Sequence, residues 1–211
     1  MSRPAVIFDL DGTLVDSLPD IVASFRHAFT EVGLDAPGAD AVRAEVGLPL
    51  EVMYARFAPD AAVPDLSAAY RRHYPQHLAD RSRPYPGVPE VLANLRGRGF
   101  ALAVATTKRS DIATRLVRAM GLDDAVDHVQ GTDGFPHKPA PDVVLRALDA
   151  LGARGLWMVG DTTHDVGAGK AAGLRTYAVT WGTHDAARLR SAEPDVLADD
   201  LGTLLSVVER S

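Results

Sequence analysis

The stretch Val6-Ile7-Phe8-Asp9-Leu10-Asp11-Gly12-Thr13-Leu14 limits this chain more than any other. Val6, Ile7 and Phe8 are apolar and favour β structure, so they read as a strand buried on both faces, as in parallel sheets. Gly12 lets the chain leave that strand sharply. Ligands of open α/β sheets bind beyond the carboxyl ends of the strands, where Asp9 and Asp11 stand. Residues two apart on a strand point to one side, so the two carboxylates can share one ligand if the extended path persists. At about 4 Å and an effective dielectric near 20 they repel by about 4 kcal/mol. A cation, a shared proton or nearby basic groups must offset that. The competing reading is a plain strand-to-helix turn whose aspartates cap backbone amides.

The segment after this strand is helical. Leu18, Ile21, Val22, Phe25, Phe29 and Val32 fall on one helical face. Ser17 suits the N-cap, Pro19 the first turn and Gly33 the stop. Short helical pieces follow at 40–46 and 50–57, and a longer one from Leu66 toward Leu78, where Pro75 is expected to break or kink it. No strand is expected between Leu14 and Pro84. Arg83-Pro84-Tyr85-Pro86-Gly87 reads as a linker.

Beyond it the pattern alternates. Helices are expected at 88–95, 110–120, 141–151, up to Ala172, and at 201–208. Strands are expected at 100–105, weakly at 126–129, and at 156–159 and 176–180. The fold class is therefore α/β: a Rossmann-like parallel sheet covered by helices on both faces, with an inserted α-helical domain. The expected boundaries are 1–15 and 84–211 for the core and 16–83 for the insertion.

Three further strand ends or loops carry chemistry-bearing residues. Thr106 closes the second buried strand, where its hydroxyl can meet a phosphoryl oxygen; taken alone it is a Thr at a strand end. In His137-Lys138-Pro139-Ala140-Pro141, Lys138 is held between constraints on the chain, unlike a solvated surface lysine, and His137 reads as non-catalytic. Gly160-Asp161-Thr162-Thr163-His164-Asp165 follows another strand, and there Asp161 and Asp165 can also serve free amides of a helix start.

Taken in order, these four stretches resemble the motifs of the haloacid dehalogenase (HAD) superfamily: Asp-x-Asp-Gly-Thr, an apolar run ending in Thr, Lys-Pro-x-Pro and Gly-Asp-x-x-x-Asp. The resemblance covers essentially the whole chain. It implies that Asp9 is the nucleophile and Asp11 the general acid/base. It makes Thr106 and Lys138 catalytic partners that hold the phosphoryl group, and Gly12, Thr13, Thr107 and Lys108 substrate contacts. Mg²⁺ is implied as cofactor, held by Asp9, the Asp11 carbonyl and Asp161, with Asp165 supporting Lys138 or a metal-bound water. His164 is left out, because hard oxygen ligands suit Mg²⁺ and imidazole does not.

Gly47-Leu48-Pro49, Trp181-Gly182 and the place of the insertion resemble the phosphoglycolate-phosphatase-like branch, with a C1-type helical cap. That branch usually reads Thr-Asn-Lys where this chain has Thr106-Thr107-Lys108. The implied activity is a Mg²⁺-dependent phosphatase working through an aspartyl-phosphate on a small phosphate ester, with 2-phosphoglycolate the leading single substrate. Arg43, Tyr54 and Arg56 of the cap are candidates to meet a substrate carboxylate. Two alternatives stand beside it: a phosphomutase with the same motifs, and a receiver-like phosphoacceptor signalling module. Asp11 argues against a dehalogenase, which needs no second acid there.

Composition excludes other classes. With no cysteine, disulfides, thiolate metal sites and a Cys nucleophile are ruled out. The formal net charge of -6 disfavours a nucleic-acid partner. No long apolar span suggests a membrane, and no N-terminal signal pattern is visible, so a cytoplasmic monomer or homodimer is expected.

Overall fold

The structure is a computed structural model that describes residues 2–208. The chain divides into two compact units, one formed by Met1–Asp16 with Pro84–Ser211 and the other by Ser17–Arg83.

The first unit is built on a six-stranded sheet. Its strands are β1 (Pro4–Phe8), β4 (Ala101–Ala105), β5 (His128–Gln130), β6 (Arg154–Gly160), β7 (Arg175–Val179) and β8 (Val196–Ala198). Their order is β5-β4-β1-β6-β7-β8, and every pairing is parallel. Two-residue strands β2 (Val15–Asp16) and β3 (Arg83–Pro84) stand where the chain leaves and rejoins this unit. β2 falls in a stretch expected to hold no strand; two residues are too few for any periodic signal.

Helices cover the sheet as parallel crossovers require. In the first unit these are α5 (Val88–Gly97), α6 (Ser110–Ala119), α7 (Asp142–Leu151), α8 (Thr163–Ala171), α9 (Ala186–Ser191) and α10 (Leu204–Val208). One face of the sheet presents Ala5, Ile7, Ala101, Ala103, Ala105 and Met158 to Val143, Val144 and Ala147 of α7 and Ala168 of α8. The small alanines of β4 let α7 lie close to the strands. Val6, Phe8, Leu102 and Val104 alternate with these residues and are fully buried on the opposite face. From β1 the chain runs out through β4 to β5, then returns to β6 on the other side of β1. The order reverses at β1, which puts the ligand crevice of an open α/β sheet at its carboxyl end.

The second unit is helical: α1 (Leu18–Val32), α2 (Ala39–Arg43), α3 (Leu50–Ala55) and α4 (Val63–His77). Phe25, Phe29 and Tyr54 are buried together, with the Phe25 and Tyr54 rings stacked at 4.0 Å. Gly33 ends α1 in the left-handed conformation as expected, but Ser17 makes no side-chain cap, because its backbone (φ -99, ψ -5) is helical rather than extended. Pro75 does not break α4, which continues to His77. Having no N–H, Pro75 leaves the Arg71 carbonyl without its usual rung, and the helix runs on past that single gap. Asp20 is buried and accepts from the Arg81 amide, the Ser82 amide and the Ser82 hydroxyl at 2.8–2.9 Å, so one carboxylate ties the start of the unit to its end.

Candidate active site

Three strand ends converge beside β1. Asp9 follows β1, and its amide donates to Val159 O on β6 at 2.8 Å. Lys138 arrives on the loop before α7, where the Lys138–Pro139 peptide is cis, and is only 6% exposed. Its ammonium donates to Asp9 Oδ1 at 2.5 Å, Asp165 Oδ1 at 2.5 Å and Ala105 O at 3.1 Å. Asp165 is locked in turn. Its Oδ2 accepts from the Thr162 amide at 2.9 Å and the Thr162 hydroxyl at 2.6 Å, and its own amide donates to Thr162 Oγ1 at 3.3 Å, which completes the reciprocal capping box that starts α8. Among the described residues none donates to Asp9 Oδ2, which leaves that oxygen for a ligand.

Asp161, at the end of β6, is fully buried and held from several sides. Thr13 Oγ1 donates to its Oδ1 at 2.8 Å, and the Thr183 amide donates to its Oδ2 at 2.6 Å. Gly12 is needed here twice over. Its φ of +83° is left-handed, and a Cβ would stand 2.3 Å from Asp161 Oδ2. A Cβ on Gly182 would come within 2.2 Å of the same oxygen. His184 closes the turn: its amide donates to Asp161 O at 3.3 Å, and its Nδ1 accepts from the Thr163 amide at 3.0 Å. A neutral ring accepting at Nδ1 carries its proton on Nε2. Burial, then Arg188 and His164, lower the His184 pKa to about 4, which keeps that ring neutral.

Asp9, Asp161 and Asp165 offer carboxylate oxygens that all lie within 4.8 Å of one another. Three buried carboxylates against one ammonium leave excess negative charge. Burial raises Asp9 well above the usual carboxylate range; Lys138 opposes the rise, while Asp165 and Asp161 add to it. Burial, then Asp165, push Asp161 up to about 6, against the Thr183 amide, the Thr13 hydroxyl and Lys138. For Lys138 burial works against the charge, but Asp165 and Asp9 outweigh it and raise the pKa above that of an ordinary lysine. An all-oxygen donor set short of positive charge fits a hard dication.

Asp11 is not a member of that carboxylate cluster. Its carboxylate is paired with Lys108 at 3.2 Å. Thr106 is buried, and its Oγ1 accepts from the Lys108 amide at 3.2 Å, so the hydroxyl keeps its donor hydrogen. Thr107 is half-buried beside them. The expected residues therefore form two groups: Asp9, Lys138, Asp161 and Asp165 in one, Asp11, Thr106 and Lys108 in the other. Of the implied substrate contacts Gly12 and Thr13, the Gly12 amide donates to Val15 O at 2.9 Å and the Thr13 hydroxyl to Asp161.

Of the residues singled out in the insertion, Tyr54 is fully buried and its hydroxyl donates to Phe25 O at 3.3 Å. Burial raises that phenol further, so Tyr54 is a packing residue and not a carboxylate contact. Arg56 pairs with Glu45 at 2.6 Å, and Arg43 is exposed. Sequence reasoning did not single out Thr162, Thr183 or His184. Trp181-Gly182 was the one signal for that turn.

The model of the haloacid dehalogenase-like hydrolases matches residues 6–179. "Probable phosphatase IndB" of Dickeya dadantii is 40% identical over 206 residues, covering 93% of this chain and 90% of that protein. A phosphoglycolate phosphatase of Vibrio cholerae is 35% identical over 217 residues, with 96% of each covered. A solved haloacid dehalogenase-like family hydrolase of Streptococcus pneumoniae superposes with a TM-score of 0.89 at 27% identity, covering 98% of each chain. The chain belongs to the haloacid dehalogenase-like hydrolases. Within that family it is phosphoglycolate-phosphatase-like, in sequence and in fold.

Proposed function

We propose that this phosphatase cleaves a small phosphate monoester with Mg²⁺, through an aspartyl-phosphate on Asp9. The observation that carries the reading is the Asp9–Lys138–Asp165 chain beside Asp161 at the end of β1: one carboxylate held by a single ammonium, with an oxygen left for a ligand. A receiver-like module is disfavoured, because the family match runs across the inserted helical unit.

In the proposed sequence a carboxylate oxygen of Asp9 bonds to phosphorus as the ester P–O bond breaks. The leaving alkoxide takes a proton from Asp11, which enters this step as the carboxylic acid. A water then attacks phosphorus, Asp11 takes its proton, and the Asp9–phosphorus bond breaks, returning both residues to their starting forms. Lys108 keeps Asp11 in place between the two steps. Lys138 and the Thr106 hydroxyl hold phosphoryl oxygens and stabilise the charge that develops there. Thr13 and Gly12 act through Asp161, and Asp165 acts through Lys138. Mg²⁺, held by Asp9, the Asp11 carbonyl and Asp161, would supply charge neutralisation and orientation of the phosphoryl group. For the inserted unit we keep the substrate-selecting cap role that the resemblance implies.

The leading single substrate is 2-phosphoglycolate, the substrate in the name of the V. cholerae relative. Thr107, where that branch usually has Asn, weighs against so specific a choice. Steady-state kinetics on phosphoglycolate, sugar phosphates, pyrophosphate and an aromatic phosphate, each with Mg²⁺ and with EDTA, test the reading. Turnover should vanish in EDTA and return with Mg²⁺. A rate indifferent to thorough chelation would remove the metal from the scheme. A kcat/KM for phosphoglycolate well below that of another ester would remove only the substrate.

A further inference from the structure

The turn after β7 does more than pass beside Asp161. Thr183 donates its amide to Asp161 Oδ2, yet its own hydroxyl oxygen is shielded from solvent and has no hydrogen-bond partner. A buried hydroxyl left without a partner is costly, so such groups in native folds call for an explanation. This one belongs to the residue whose amide stands 2.6 Å from Asp161 Oδ2, a metal-ligand candidate, and Gly182 leaves no side chain between the turn and that carboxylate. The groups that hold the two carboxylates and the turn are already committed. Thr13 and the Thr183 amide hold Asp161, Thr162 holds Asp165, and His184 Nδ1 holds the Thr163 amide. Magnesium sites commonly keep several waters on the ion, and those waters need acceptors from the protein.

We propose that Thr183 is a positioning residue of the metal site, whose buried hydroxyl accepts a hydrogen bond from a water of the divalent ion's hydration shell while its amide orients Asp161. The proposal rests on the Mg²⁺ reading above. It separates the two halves of the threonine: the amide belongs to the metal-free fold, and the hydroxyl finds its partner only when the ion is bound. Removing the hydroxyl should therefore weaken ion binding without weakening the metal-free protein.

The test compares Thr183→Val, which keeps the shape, and Thr183→Ser, which keeps the hydroxyl, with the parent chain. Mg²⁺ and Mn²⁺ binding is measured by calorimetry without substrate, and thermal unfolding is followed in EDTA. Thr183→Val should bind the ions about tenfold more weakly, Thr183→Ser should restore most of the affinity, and the unfolding temperature of Thr183→Val in EDTA should equal or exceed the parent's. Unchanged ion affinity in Thr183→Val would overturn the proposal while leaving the Mg²⁺ reading standing. Lowered stability in EDTA with unchanged affinity would do the same and make Thr183 a packing residue. A parent chain that binds neither ion would instead remove the Mg²⁺ reading itself.

Discussion

Lys138→Met is the sharpest single test of the site. The ammonium bridges Asp9 and Asp165 at 2.5 Å each in a buried setting, and methionine keeps its length without its charge. Removing one partner from a buried ion pair typically costs about 3–5 kcal/mol, because the remaining charge is left unpaired. Asp9 limits that loss by taking up a proton. Its pKa is already raised by burial, and Lys138 is the group that opposes the rise. The variant's Asp9 must therefore titrate higher than the parent's. A carboxyl whose folded pKa lies above its unfolded value binds more protons when folded, so stability falls as pH rises from the unfolded value of 3.8 through the folded one. The stability deficit of Lys138→Met, measured by urea unfolding in EDTA, should accordingly deepen as pH rises above 3.8. In kinetics the change should lower kcat/KM about 10²- to 10³-fold, on the scale of losing one oxyanion-hole donor. A deficit that does not change with pH, together with a loss of kcat/KM below tenfold, would refute the arrangement and leave Lys138 an ordinary lysine.

Three other outcomes are expected. Asp9→Asn should abolish turnover and raise stability in EDTA at neutral pH, since it removes one of three crowded buried carboxylates; turnover by the folded variant would contradict the nucleophile. Gly182→Ala should place a methyl 2.2 Å from Asp161 Oδ2, costing about 1–3 kcal/mol by overpacking. A lowered unfolding temperature and weaker Mn²⁺ binding together check this, and an unchanged variant would mean the turn yields freely. In the helical unit His27, His73 and His77 stack at 3.9 and 4.1 Å, with Glu31, Arg72 and Asp80 alongside. Burial, then His27 and His77, lower the His73 pKa below 6.5, so protons favour the unfolded chain and stability should fall as pH drops below that value. His73→Gln should flatten the pH dependence of urea unfolding between pH 7 and 5, and an unchanged slope would show that the stack does not matter.

The sheet and the strand ends that carry the candidate site were legible because they are written in residue type. Asp9, Thr106 and Asp161 each follow a short apolar run, and such runs in this order imply β1, β4 and β6. α9 and β8 were not visible. α9 offers Leu189 as its only large apolar residue, and β8 is three half-buried residues at the sheet edge. Neither is long enough for a period to show. The hold on Asp161 was hidden for another reason. It comes from the Thr183 amide and from the absence of side chains at Gly12 and Gly182. A backbone donor can come from almost any residue, and close approach is a property of the folded path. The pairing of Asp11 with Lys108 was equally hidden, because alternation along an ideal strand stops applying once the chain turns at Gly12.

Asp20 has a bearing on how the chain is assembled. Its carboxylate binds the amides of Arg81 and Ser82, so the helical unit joins its own first and last turns. On the other side of the boundary, within the sheet unit, the Tyr85 amide donates to Leu14 O at 3.0 Å, so the two ends of the interruption meet there too. A sheet that must pair β1 with β4 across the whole insertion faces a long closure. If the helices gather first, the span left to close is roughly threefold shorter, a saving of about 1 kcal/mol of chain entropy. An insert whose ends meet can also change in length or sequence between them while Phe8 still finds Val104. The strand pairing that places Asp9 is thereby uncoupled from the evolution of the segment that interrupts it.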